Sequence, residues 1–71
     1  MTAIVLAENS TSIGKRIVEL AVPATTNILA IKRRDVYISP NGSTMLQVND
    51  ILYVLAEDAD SLALLEQSLG I

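Results

Sequence analysis

Side chains able to make and break bonds are scarce in this 71-residue sequence. It has no histidine and no cysteine. A general base with an intrinsic pKa near neutrality and a thiolate nucleophile are therefore both missing. Serines are plentiful, but none stands in a Ser-His or Ser-Lys arrangement. Ile13-Gly14-Lys15 contains Gly-Lys without the glycine loop that precedes it in a phosphate cradle. The sequence is therefore expected not to be an enzyme. Groups suited to binding are few. Lys32-Arg33-Arg34 is the one basic cluster, either a receptor for phosphate or a solvated hairpin tip. Glu57, Asp58 and Asp60 have the oxygen chemistry of a hard-cation site, but carboxylates at a helix start explain them equally well. Tyr37 and Tyr53 are the only aromatics and make a poor platform for stacking bases. Asn27 opens an otherwise apolar run, as a strand-start turn residue or as a polar contact in a cleft.

The elements that position these groups follow from hydrophobic spacing. Residues 3–7 form a short apolar run ended by Glu8-Asn9-Ser10, a strand and then a turn. Ser12 can cap a helix, and Ile13, Ile17 and Leu20 recur at helical spacing, which predicts a two-turn helix over residues 13–20. Residues 27–31 predict a second strand, apolar at consecutive positions and hence covered on both faces. Residues 32–35 reverse the chain into a third strand over 35–39, and Pro40-Asn41-Gly42-Ser43 is a strong turn. Residues 44–48 are ambiguous, with Met45 or Leu46 tucked inward. Residues 51–56, six consecutive apolar positions, predict the central strand, in which Leu55→Asp is expected to unfold the domain. A final helix follows, with Leu62, Leu65 and Leu69 inward and Gly70 as its stop. The expected class is α+β, a small β-α-β-β-(β)-β-α domain with a mixed sheet and two short helices, spanning residues 1–71 as one unit.

Composition adds a partner to this picture. Hydrophobic residues make up 51% of the chain and charged residues 18%, against about 25% charged in ordinary soluble domains. A chain this short hides only about 60% of its unfolded surface. Two doubly apolar strands with only two helices to cover them leave a face or an edge for a second copy. Charge is uneven as well. Residues 1–35 hold five basic groups against three acids, and residues 36–71 hold five acids and no base, for a net charge of −3. Such a chain is not expected to bind nucleic acid generally. The opening residues lack the basic start of a signal peptide, and no stretch approaches the roughly 18 apolar residues of a membrane span, so direct membrane insertion is not expected.

Several stretches in order resemble the TrkA-C domain, the C-terminal domain of regulators of potassium conductance. Ile13-Gly14-Lys15-Arg16-Ile17-Val18-Glu19-Leu20 followed by Val22-Pro23 is similar to its opening, and Asn27-Ile28-Leu29-Ala30-Ile31-Lys32-Arg33 to its next strand. Residues 38–55 resemble its later signature, an apolar-x-Pro-x-Gly-x-Thr-x-Leu-x-x-x-Asp pattern leading into an apolar strand, closest to the tails of potassium/proton antiporters. The resemblance implies a homodimer at the cytoplasmic face of the cell membrane, joined to a membrane transport domain that it regulates. It also implies that the ligand, where there is one, is a cyclic dinucleotide such as cyclic di-AMP, or another nucleotide, held between two subunits. NAD is not expected. By the family's pattern Asn27, Ile28, Ala30 and Ile31 line the cleft, with Arg33 available to a nucleotide. A structural dimerisation module without a ligand, and the sensor domain of a transcription regulator, are the rival readings.

Overall fold

A computed structural model describes residues 1–71. Its elements are β1 (Thr2–Val5), a 3-10 turn (Ile17–Glu19), β2 (Thr26–Arg33), β3 (Val36–Ile38), β4 (Ile51–Ala56) and α1 (Ala59–Ser68). The run 51–56 does become a central strand: the sheet order is β1-β4-β2-β3. Every pairing is antiparallel, so the α+β class holds while the mixed sheet is corrected to an antiparallel one. The reason lies in the connections. Parallel neighbours need a crossover of a dozen or more residues packed as a helix, and none of the connections supplies one.

One face of the sheet is covered and the other is not. Ile4, Ile31, Leu52 and Val54 meet Leu65 of α1 and Leu69, the residue that caps its C-terminal end, with Leu6 and Leu46 completing the buried core. Each such side chain contributes about 1.5–3 kcal/mol by leaving water. Of the two candidates near residue 45, Leu46 is inside and Met45 is half-exposed. On β4 only alternate residues enter the core. Leu55 is 52% exposed on the uncovered face, so the expectation that Leu55→Asp unfolds the domain passes instead to Leu52 and Val54.

Strand β2 carries a bulge. Ile28 pairs with Val54, but Ala30, not Leu29, pairs with Tyr53. The extra residue resets the in–out phase. Ile28 and Ile31, three apart, therefore both turn toward the core, while Leu29 is exposed. The consecutive apolar residues 28–31 mark this bulge rather than a strand covered on both sides.

The helix expected over residues 13–20 is not formed. Gly14 has φ +83, outside the right-handed helical region. The backbone of this stretch bonds across the chain instead: Gly14 N–H to the Leu46 carbonyl, Ile17 N–H to that of Thr44 and Val18 N–H to that of Gly42, each within 3.0 Å. A single bridge joins Arg16 and Met45 in place of the optional strand. Ser12 is no helix cap. It is fully buried and its hydroxyl lies 2.7 Å from that of Ser10, which in turn donates to the Leu69 carbonyl at the end of α1.

The C-terminal helix forms as its residues predict. Asp58 caps it, its Oδ1 accepting from the Ser61 N–H at 2.8 Å. At the other end Gly70, at φ +75, donates to the Gln67 carbonyl, and Ile71 donates to that of Glu66. This is the left-handed glycine cap that satisfies the last carbonyls.

Candidate functional site

Asn27 stands near the start of β2, opposite Leu55, and is exposed. Thr26, the residue before it, is held by two bonds to the Pro23 carbonyl, from its amide at 3.0 Å and its hydroxyl at 2.9 Å. Val22-Pro23 thus ends the preceding segment and also fixes where β2 begins. Two hollows flank Asn27. One, of about 380 Å³, runs over Thr25, Asn27, Leu55 and Glu57. The other, of about 220 Å³, lies between Ile17 and Val22, the β2 residues Asn27 and Ile28, and the turn Pro40, Asn41 and Gly42. That turn is firmly built: Ser43 N–H donates to Asn41 Oδ1 at 2.8 Å and Asn41 N–H to Thr44 Oγ1 at 3.0 Å.

The chemistry of the second hollow is that of a recognition pocket. Ile17, Val22, Ile28 and Pro40 give it apolar walls. The Asn27 carboxamide brings both donor and acceptor, suited to the edge of a base or another planar polar group.

The five residues singled out by resemblance do not lie together. Asn27 and Ile28 line the second hollow. Ala30 lies further along on the uncovered face, opposite Tyr53. Ile31 has 0% exposure and belongs to the core; the bulge turned it inward. Arg33 is at the far end of β2, about 20 Å along the strand from Asn27.

Arg33 is occupied there. Its Nε donates to Asp50 Oδ1 at 3.0 Å, and one Nη donates to Asp50 Oδ2 and to the Met45 carbonyl, each at 2.8 Å. The Gln47 N–H completes the shell around Oδ2 at 3.0 Å. Asp50 is 1% exposed, and its hydrogen bonds raise the pKa of the Arg33 guanidinium further above its ordinary value. A fork of this kind on a buried carboxylate holds two turns together; the guanidinium is not a free phosphate receptor. Arg34 of the same cluster makes no side-chain hydrogen bond and takes φ 58 at the β2–β3 turn, as the hairpin-tip reading requires.

Sequence reasoning missed the turn at residues 40–42 as part of the site, together with Ile17 and Val22. The turn itself was plain from Pro-Asn-Gly-Ser. Its position beside Asn27 is a long-range fact with no local signal.

The K(+)/H(+) antiporter NhaP2 of Shewanella baltica (strain OS223) is 42% identical over 53 residues, which are 75% of this chain and 9% of the antiporter. The chain thus spans about a tenth of the length of the curated relatives it matches. Among solved structures, the RCK_C domain dimer of S. agalactiae BusR in complex with c-di-AMP superposes with a TM-score of 0.78 at 25% identity, covering 96% of this chain and 92% of that one. BusR in complex with its busAB-promotor DNA gives the same score and identity, over 34% of that chain. The family description of the TrkA-C domain matches residues 1–69. By that match this chain belongs to the TrkA-C domain family.

Proposed function

We propose that this chain is the regulatory domain of a membrane potassium or cation/proton transport protein, on the cytoplasmic face of the cell membrane. In this reading it is non-catalytic and pairs with a second copy. A cyclic dinucleotide or related nucleotide at the Asn27 hollow biases the geometry of the pair and so of the attached transporter. One observation carries the reading. Asn27, Ile28 and the turn at residues 40–42 converge on one hollow, in a fold that superposes on a dimer holding c-di-AMP. At about 220 Å³ the hollow is smaller than the roughly 300–1,000 Å³ of a pocket that encloses a whole small ligand. It suits one base of a dinucleotide, with a second subunit supplying the remaining contacts. Regulation then requires that the ligand bind one dimer geometry better than another.

The test is thermal unfolding with c-di-AMP. Ligand at a hundred times its dissociation constant stabilises by about 2.7 kcal/mol. Asn27→Ala, at an exposed position, is expected to fold normally and to lose that shift. No shift with c-di-AMP, other nucleotides or cations would support a structural dimerisation module instead. The DNA-bound BusR neighbour favours a second reading, the sensor domain of a transcription regulator. The net charge of −3 argues against this domain itself meeting DNA. Membrane spans in the sequence flanking this domain support the transporter, and a helix-turn-helix supports the regulator.

A further inference from the structure

The turn that walls the second hollow carries the chain's one Asn-Gly pair, Asn41-Gly42. An asparagine amide is consumed when the backbone nitrogen of the next residue attacks its side-chain carbon. Glycine at that next position leaves the approach unobstructed, whereas a side chain hinders it. The structure sets this pair apart from the other asparagines. The nitrogen beside Asn9 belongs to Ser10 and donates to the Ala7 carbonyl at 2.9 Å, and that beside Asn49 belongs to Asp50 and donates to the Gln47 carbonyl at 3.2 Å. Asn27 is followed by the β-branched Ile28 inside the β2–β4 ladder. Gly42 N–H donates to no protein group, and both residues of the pair are exposed. The Asn41 carboxamide is also polarised. Its Oδ1 accepts from the Ser43 N–H at 2.8 Å, so a donor already stands where negative charge gathers when the side-chain carbon is attacked. The fold favours glycine at 42, because a Cβ there would lie 3.3 Å from that of Val18.

We propose that Asn41-Gly42 is a self-modifying site, at which the domain slowly and irreversibly gains a carboxylate on the wall of the hollow beside Asn27. The Gly42 amide gives its proton to hydroxide, and its nitrogen bonds to Asn41 Cγ. The Cγ–Nδ2 bond breaks, and ammonia leaves with a proton taken from water. Water then opens the resulting succinimide ring at one of its two carbonyl carbons. Opening at Cγ yields aspartate, which accepts from the Ser43 N–H as asparagine does and so keeps the turn. Opening at the main-chain carbon yields isoaspartate, whose backbone runs through the former side chain and is longer by a carbon. That change disturbs two bonds that hold the turn, Thr44 N–H to the Asn41 carbonyl at 3.1 Å and Val18 N–H to the Gly42 carbonyl at 2.9 Å. Either product sets a negative charge among Asn27, Ile28 and Pro40. The effect on binding rests on the nucleotide of the proposed function, whose phosphates the new carboxylate repels; the modification itself does not.

Ageing the 71-residue chain in mildly alkaline buffer and mapping its peptides by mass tests the chemistry. Acid is expected to replace amide at Asn41 while Asn9, Asn27 and Asn49 keep theirs, with isoaspartate detected as methyl acceptance from an isoaspartyl carboxyl methyltransferase. The folded chain should convert at a rate comparable to that of the chain unfolded in urea. An Asn41 amide that survives in the folded chain while the unfolded chain converts shows that the turn protects it, and overturns the proposal. Conversion of Asn9 or Asn49 as fast as Asn41 overturns it too. Thermal unfolding with c-di-AMP tests the consequence. Asn41→Asp is expected to weaken binding about tenfold at low salt, and Asn41→Ser, which offers the Ser43 amide an uncharged oxygen, by less. Equal affinity of Asn41→Asp and the wild type overturns the effect on binding. A wild-type chain that loses the Asn41 amide but is not stabilised by c-di-AMP overturns the ligand reading and leaves the modification standing.

Discussion

The Arg33–Asp50 pair shows how much a single residue's role depends on its surroundings. As one of three consecutive basic residues, Arg33 is a natural candidate for a phosphate. Bound in a fork to a buried carboxylate, it is part of the fold. Removing Arg33 leaves Asp50 buried with only the Gln47 amide, whereas removing the carboxylate leaves a guanidinium whose side chain is 25% exposed and can draw on water. Arg33→Ala is therefore expected to cost about 3 kcal/mol, and Asp50→Asn clearly less. Urea denaturation of the two variants measures the difference. A fully stable Arg33→Ala variant that loses only ligand binding would return Arg33 to the site. Asn27 and Ile28 were recognisable from the family's strand pattern. Asp50 was visible only as the last residue of the family's signature before an apolar strand, because nothing in a linear sequence says which cation reaches it.

At the scale of elements, legibility followed the range of the hydrogen bonds. The strand Ile51–Ala56 and the helix Ala59–Ser68 could be read because a continuous apolar run and a leucine stripe with caps are local signals. Residues 13–20 could not, since Ile13, Ile17 and Leu20 fit a helix while the backbone partners of the stretch lie at residues 42–46. Gly14 was the local clue. The end of α1 is where local and distant requirements coincide. Gly70 needs its left-handed φ, and a Cβ there would overlap Thr11, coming within 2.6 Å of its amide nitrogen. Gly70→Ala is expected to destabilise by at least about 1–2 kcal/mol, read as a lowered urea midpoint. Part of the loss should come from the Ser10–Ser12 loop, whose Ser10 hydroxyl bonds to the Leu69 carbonyl.

For the molecule as a whole, the charges set how stability varies with pH. Without histidine, no side chain has an intrinsic pKa near neutrality. Two carboxyls are held below their ordinary pKa. Glu19 is lowered by its hydrogen bond from the Arg16 side chain, and Asp58 by the Ser61 amide that it caps. A group whose folded pKa is depressed stabilises the fold above its unfolded pKa, and that contribution is lost as pH falls through the folded value. Stability is therefore expected to decline on the acid side, below the ordinary carboxylate range. The deficit of Asp58→Ala against the wild type should shrink there, because protonation removes the same interaction. Urea midpoints measured from neutral to acidic pH test both. No helix is long and apolar enough to cross a membrane, and the surplus hydrophobicity of the composition is laid out on a sheet face.

The bulge at Leu29 has a consequence for how this domain tolerates changes in length. In a regular strand, losing one residue inverts every side chain beyond the break. Here Ile28 and Ala30 already point to opposite faces with Leu29 standing between them, so a chain lacking that residue would keep Ile28 and Ile31 inward and Lys32 outward. Position 29 is thus a site where the strand can shorten by one without losing its core, giving up one exposed apolar side chain.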